Sequence, residues 1–225
     1  MIGSYSFFRD FENCPRKAWH KFVERDLPRD DTDATRWGNR VHKALAERIG
    51  GDDWGNYPPL PPEVEQYEPY AATLERRAAG IPMFTEYKLG MREDGTHCGF
   101  FDADCWVRGV LDTVILDVPL AWIGDWKTGK IREDAFELEV GAMLLKARYP
   151  DLRKISGNYI WLKPGQIGQR HDLSHTDATL DTVRRMMETV GQLGDSEWSP
   201  RPNPLCGWCP VLSCEHNKVK QRCAS

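Results

Sequence analysis

Residues 109–127 read GVLDTVILDVPLAWIGDWK: two runs of β-branched and aromatic residues joined at Val118–Pro119. Such runs favour strands, and the proline belongs to the turn between them. The first extends back to give a strand over 105–117 and the second gives a strand over 121–127. Apart from Asp117 beside the turn, three charged side chains interrupt the apolar pattern: Asp112 between Leu111 and Thr113, Asp125 after Ile123 and Gly124, and Lys127 two positions later. Strand side chains alternate faces, so Asp125 and Lys127 point one way and Trp126 the other. Two adjacent strands can then bring two carboxylates and an ammonium to one pocket. Burying such charges is costly unless they are paired or hold a metal. Carboxylate oxygens with no thiolate nearby suit a hard cation, Mg²⁺ or Mn²⁺. Such an ion polarises a phosphodiester and acidifies a water, and a nearby lysine stabilises the charge developing on phosphorus. Asp-x-Lys alone is a common salt-bridge triplet; Asp112 in the preceding strand gives the pair its meaning.

The flanking sequence surrounds these strands with helices. Ser6 precedes an aromatic run, residues 7–23, that Pro15 breaks into two short helical pieces. Thr35 is placed to cap a helix ending at Gly50–Gly51. Residues 51–62 form a Gly- and Pro-rich loop, and 63–79 a third helix. Strands are expected over 82–91, 154–163 and 166–173, with helices over 133–149 and 176–193. The fold class is therefore α/β, a central mixed β-sheet flanked by helices, followed by a cysteine-rich C-terminal tail. The 225 residues are read as a single domain (1–225), in which 1–25 and 195–225 together form a metal-cluster subregion.

Hydrophobic residues make up 40% and charged residues 28% of the chain, a globular composition. No apolar run approaches the ~20 residues of a membrane helix, and the N-terminus lacks a secretory pattern, so a cytoplasmic location without membrane contact is expected. Net charge is −4, yet residues 1–25 carry +2 and residues 201–225 carry +3, leaving −9 between them. Basic ends around an acidic middle suit a protein that binds metal centrally and phosphate at its flanks; they also occur as ordinary surface charge. No phosphate-cradling Gly-x-x-x-x-Gly-Lys loop is present, so ATP hydrolysis is not expected. Tyr5, Trp19 and Trp37 can stack on unpaired bases, although core packing accounts for the tryptophans more simply.

Two further features involve metal-ligating residue types. His42, in RWGNRVHKAL, can add an imidazole ligand. Cys206, Cys209 and Cys214 have the spacing C-x₂-C-x₄-C, a soft-metal signal that leaves one ligand position open. Seven cysteines without an export signal argue against a disulfide framework. Cys98 and Cys105 read as core thiols, and Cys223 as free.

GNRVH (38–42), GVLD (109–112), DWKTGK (125–130) and the ELE segment (137–139), in that order, resemble the PD-(D/E)XK nucleases of the RecB type. The opening YSFFRDFENCPRKAWHKF (5–22) is similar to the N-terminal segment of single-domain iron–sulfur exonucleases of CRISPR adaptation and their phage-encoded relatives. The resemblance implies a restriction-endonuclease-like core and a DNA exonuclease of a bacterial host or phage-infected cell, working beside recombination or replication proteins. It implies that His42, Asp112 and Asp125 ligate Mg²⁺ or Mn²⁺ and that Lys127 is the catalytic lysine. Glu86, in TEYKL, and Glu137 stand behind them as supporting residues. It further implies a [4Fe–4S] cluster on Cys14, Cys206, Cys209 and Cys214; the rival is Zn²⁺ on the three tail cysteines with Cys14 or His216. Two departures stand out. Leu111 occupies the position of the family's proline, and Glu137 and Gly141 replace the glutamine and tyrosine of its Gln-x-x-x-Tyr motif. The second departure leaves room for an alternative, a non-catalytic DNA-end or protein-binding module that keeps the nuclease fold.

Overall fold

The computed structural model describes residues 1–28, 32–52, 54–132, 134–194 and 197–218. Position 133, where a helix is expected to start, and Cys223 lie outside the described residues. The chain divides into two compact units, Asp31–Leu180 and a terminal unit of Met1–Asp30 with Asp181–Ser225.

The larger unit is built on one seven-stranded sheet. Its strands are β1 (Met83–Met91), β2 (His97–Cys98), β3 (Val107–Asp117), β4 (Leu120–Lys127), β5 (Lys154–Trp161), β6 (Gln166–Ile167) and β7 (His171–Asp172). The order is β2-β1-β3-β4-β5-β6, with β7 also on β5. β1, β3 and β4 form an antiparallel meander, whereas β4 and β5 are parallel. A parallel pair needs a crossover, which is α5 (Phe136–Arg148). The mixed α/β architecture expected from the sequence is the one observed.

On one face, α3 (Asp33–Gly50) and α4 (Glu68–Ala78) cover the sheet. Val41, Ala44, Leu45 and Leu74 pack with Ile115, Trp122, Trp126 and Ile160 in one buried cluster. Trp122 keeps its indole N–H satisfied by donating to Asn158 Oδ1 at 2.9 Å. On the other face α5 lies directly on β3: Gly141 leaves space for Leu111, and Gly109 for Leu144. No helix is long and apolar enough to cross a membrane among the described residues.

Local chemistry corrects several boundaries. Thr32, not Thr35, caps α3: its hydroxyl accepts from the Thr35 backbone N–H at 3.2 Å, so the helix starts at Asp33. Residues 166–173 form two two-residue strands instead of one. The Asn158 side chain donates to the Gly168 carbonyl at 3.0 Å, and Gln166 and Ile167 are exposed, so no apolar face holds a continuous strand. Cys105 lies in a loop before β3, although it is buried as expected.

In the terminal unit, Ser4 caps α1 (Tyr5–Asn13) through the Phe7 N–H at 3.2 Å. Phe7 and Phe8 are fully buried, and Phe11 meets Trp198 edge to face at 5.6 Å. Pro15 begins α2 (Pro15–Trp19), and the residue before it, Cys14, is driven to an extended conformation (φ −165°, ψ 105°). The break expected at Pro15 therefore falls on Cys14, with its side chain between two helices. The last helix, α6 (Thr176–Gly191), contains the boundary between the units.

Candidate functional site

The centre lies where the regular pairing of β1, β3 and β4 fails. β1 and β3 pair at Thr85↔Thr113 and at Tyr87↔Leu111, but not between, at Glu86 and Asp112. Glu86 has φ +47°, a left-handed conformation that non-glycine side chains rarely adopt. The strand turns over there. Thr85 donates to the Ala46 carbonyl of α3 at 3.2 Å, while Tyr87 reaches the Tyr149 hydroxyl beyond the end of α5 at 2.8 Å. Two residues apart on one strand, they face opposite sides of the sheet, which a regular strand does not allow. Backbone strain of this kind costs about 1–3 kcal/mol and clusters at functional sites.

β3 and β4 also part company here. Their registered pairs run from Asp117↔Leu120 to Thr113↔Gly124 and then stop. The next available amide, that of Trp126, donates to Asp112 Oδ2 at 2.8 Å. A side chain thus replaces a strand carbonyl as acceptor, and the Asp112 carboxylate is fixed in the opening. Its other oxygen lies 3.2 Å from His42 Nδ1 on α3. His42, Glu86 and Asp112 each place a ligand atom within 4.8 Å of the others. An open cleft of about 830 Å³ reaches this trio, lined also by Asn39, Val110 and Thr128.

Asp125 and Lys127 continue the site along β4. Lys127 Nζ lies 2.7 Å from Asp125 Oδ2 and donates to Glu137 Oε2, on α5, at 2.7 Å. It also sits 5.3 Å from the centre of the Tyr159 ring. As alternation requires, Trp126 points away from this pair into the core, where it is 2% exposed. Glu137, read from the sequence as a supporting residue, is the second anchor of the lysine. Glu86 reaches the ligand trio itself; an acidic residue between Thr85 and Tyr87 gave no sequence sign of the strand reversal that takes it there.

The electrostatics follow from burial and proximity. Burial, and then the charge of Asp112, hold the Asp125 carboxyl well above its ordinary range. Burial and Asp112 also raise Glu86. Burial opposes charging of His42, but its hydrogen bond to Asp112 and the charges of Asp112 and Asp125 outweigh that and raise its pKa. Burial likewise opposes the Lys127 ammonium, and Asp125 and Glu137 overcome it, so the lysine remains charged. Asp125 Oδ2 is enclosed, and its partner is the Lys127 ammonium at 2.7 Å. Carboxylates crowded against one another with an imidazole beside them fit a hard divalent cation.

The terminal unit holds the other candidate ligands, Cys14, Cys206, Cys209 and Cys214. Arg201 N–H donates to Cys14 Sγ at 3.5 Å, and Asn203 N–H to Cys206 Sγ at 3.4 Å. The Asn203 side chain donates to the Asn13 carbonyl at 3.1 Å, tying the tail to the helical break. Asn217 donates to the carbonyls of Cys209 and Val211 at 2.9 and 2.8 Å. Burial pushes the Cys209 thiol up, and Cys14 and Cys214 are near enough to add to the effect. His216 faces Glu215, 3.8 Å away, on the surface. Among the described residues, no three of the four sulfurs lie within 4.8 Å of one another.

The family profile described as the PD-(D/E)XK nuclease superfamily matches residues 3–214. No curated protein matches the chain. A crystal structure from Eubacterium rectale named "Putative exonuclease" is 14% identical with a TM-score of 0.55, covering 92% of this chain and 86% of that one. The crystal structure of SSO0001 is also 14% identical, with a TM-score of 0.49 and coverage of 93% and 85%. At these identities the likeness is one of fold.

Proposed function

Because this chain belongs to the PD-(D/E)XK nuclease superfamily, we propose that it is a Mg²⁺- or Mn²⁺-dependent DNA exonuclease of the RecB type, acting on ends or single strands. The observation that carries this reading is the convergence of His42, Glu86 and Asp112 within 4.8 Å, beside the Asp125–Lys127 pair. The name of the Eubacterium rectale neighbour points to the same reaction class.

His42, Asp112 and Asp125 would hold the ion, with Glu86 as a further carboxylate in reach. When bound, such an ion supplies Lewis acidity toward a phosphoryl oxygen and acidifies a water. The protein's own part is positional and electrostatic. The Trp126 amide fixes Asp112, so one carboxylate oxygen stays directed at His42. Lys127, anchored by Asp125 and Glu137, presents a fixed ammonium to the negative charge that grows on phosphorus during attack. Being charged, it acts as an electrostatic stabiliser, not as a base. Glu137 thus has a structural use in place of the family's glutamine. Gly141 has none at the site, since it is buried against Leu111.

The terminal unit would carry a [4Fe–4S] cluster on Cys14, Cys206, Cys209 and Cys214. The rival is Zn²⁺ on the three tail cysteines with Cys14 or His216 as the fourth ligand. Backbone N–H groups directed at Cys14 and Cys206 suit cluster thiolates, whose potentials such bonds set. The cluster would join residues 1–25 to the tail without taking part in hydrolysis.

The test of the nuclease reading is release of nucleotides from end-labelled DNA in Mn²⁺, with an EDTA control. Mn²⁺-dependent release supports it. Binding of DNA ends without turnover under the same conditions would establish the non-catalytic alternative.

A further inference from the structure

The face of β1 and β3 that carries Glu86 and Asp112 continues beyond them. After the strand reversal, the register places Lys88 opposite Val110 and Gly90 opposite Arg108. These positions share the face of the acidic trio. Lys88 is exposed, and Val110 is exposed at the cleft wall. At the far end the loop between β2 and β3 folds down onto this face. It can do so because residue 90 is glycine: a Cβ there would lie 2.9 Å from the Gly99 carbonyl and 3.1 Å from Cys105 Sγ.

The loop is a fixed platform. Arg92 donates to Asp104 Oδ2 and to the His97 carbonyl, both at 2.5 Å. Gly99 N–H donates to Asp102 Oδ2 at 2.8 Å, and Arg108 to the Phe100 carbonyl at 3.2 Å. The platform presents an aromatic ring: Phe101 is 78% exposed and meets the Phe100 ring edge to face at 5.0 Å. Arg108 lies 4.7 Å from the centre of the Phe100 ring, and Lys88 5.9 Å from that of Phe101. The nearby acids, Asp102 and Asp104, are taken up by Arg92. Lys88 and Arg108 have no ion-pair partner among the described residues. An exposed ring bracketed by two available cations, on a rigid loop, matches the two needs of single-stranded nucleic acid: a stacking surface for a base and charge for its phosphates.

We propose that Phe101, Lys88 and Arg108 form a landing strip for single-stranded DNA, with an unpaired base stacked on Phe101 and adjacent phosphates on the two cations. Arg108 is four residues from Asp112 on β3, about 13 Å along an extended strand. A strand seated there runs along the exposed sheet face toward the acidic trio. A base inside a duplex has no free face for Phe101, so the strip selects unpaired over paired ends. This rests on the nuclease reading for its biological sense, but not for its measurement.

The test is fluorescence anisotropy with labelled oligothymidylate and with a blunt duplex, in Ca²⁺, for the wild type, Phe101→Ala, Phe101→Trp and the double variant Lys88→Ala/Arg108→Ala. Phe101→Ala should weaken oligothymidylate binding about tenfold and leave the duplex nearly unaffected, and Phe101→Trp should retain binding. The double variant should weaken binding and make it less salt-dependent. The proposal is overturned if the wild type does not bind oligothymidylate, if Phe101→Ala binds it as the wild type does, or if both DNA forms weaken equally. Cleavage in Mn²⁺ is scored separately. Variant-sensitive binding without any wild-type cleavage leaves the strip standing and the nuclease reading fallen; cleavage with variant-insensitive binding does the reverse.

Discussion

At the sheet site the candidate ligands are oxygen and nitrogen atoms, acidic groups set against one another, with the buried Asp125 carboxylate paired to Lys127. In the terminal unit they are sulfurs, two of which accept backbone N–H groups. The first arrangement sets carboxylate against carboxylate, offset by the Lys127 ammonium and the His42 imidazole. The second is satisfied locally and ties together segments about two hundred residues apart in sequence. On the reading proposed above, the first site would serve chemistry at some expense to stability, and the second would hold the chain.

The sharpest way to break this contrast is at Lys127. Lys127→Ala should reduce Mn²⁺-dependent cleavage at least ~100-fold, because a fixed charge aimed at the transition state is lost. Asp112→Asn should do the same through the metal. Both should keep the far-ultraviolet circular dichroism of the wild type; wild-type turnover in either would remove the catalytic role assigned here.

Next in size is the cysteine centre. Cys206→Ala should cost about 3 kcal/mol or more in urea unfolding, the scale of losing a long-range covalent clip. Its purified protein should lose the brown colour expected of an iron–sulfur cluster, while Mn²⁺ affinity measured by calorimetry stays at the wild-type value. A parallel loss of Mn²⁺ affinity would merge the two centres that the comparison separates.

Glu86 sharpens the contrast at smaller scale. Its φ of +47° suits glycine. Glu86→Gly should therefore raise unfolding stability by about 1 kcal/mol while lowering Mn²⁺ affinity about tenfold. A variant that loses stability would show that the carboxylate is structural.

The smallest effect concerns pH. His42 has its pKa raised in the folded protein above the ordinary 6.5. Its pairing with Asp112 then stabilises the metal-free fold fully below that ordinary value, and the contribution disappears as pH rises through the raised one. In EDTA, the stability advantage of the wild type over His42→Gln should shrink as pH rises above the ordinary histidine range. Mn²⁺ affinity should move the opposite way and increase with pH, since proton and metal compete for the imidazole. An advantage that grows with pH would contradict the assignment.

The residue types at the site were legible because their chemistry is conspicuous in context: Asp112 and Asp125 inside apolar strands, Lys127 two residues on, three clustered cysteines. The helix break at Pro15 was legible too, since proline constrains the residue before it, here Cys14. What sequence could not show came from departures from period. Alternation assumes a regular strand, so it gave no hint that β1 turns over at Glu86 or that β3 and β4 separate past Thr113. The sequence also put the α3 cap at Thr35, whereas Thr32, equally able to cap a helix, holds it. Likewise, the break in residues 166–173 depends on Asn158, a neighbour supplied only by the fold.

The most direct measurement is anomalous scattering at the manganese edge from a crystal soaked in Mn²⁺. The account predicts a peak bonded to His42 and Asp112, with Asp125 or Glu86 completing the protein ligands. A peak elsewhere, or a crystal whose His42 and Asp112 remain hydrogen-bonded to each other at saturating Mn²⁺, would contradict it.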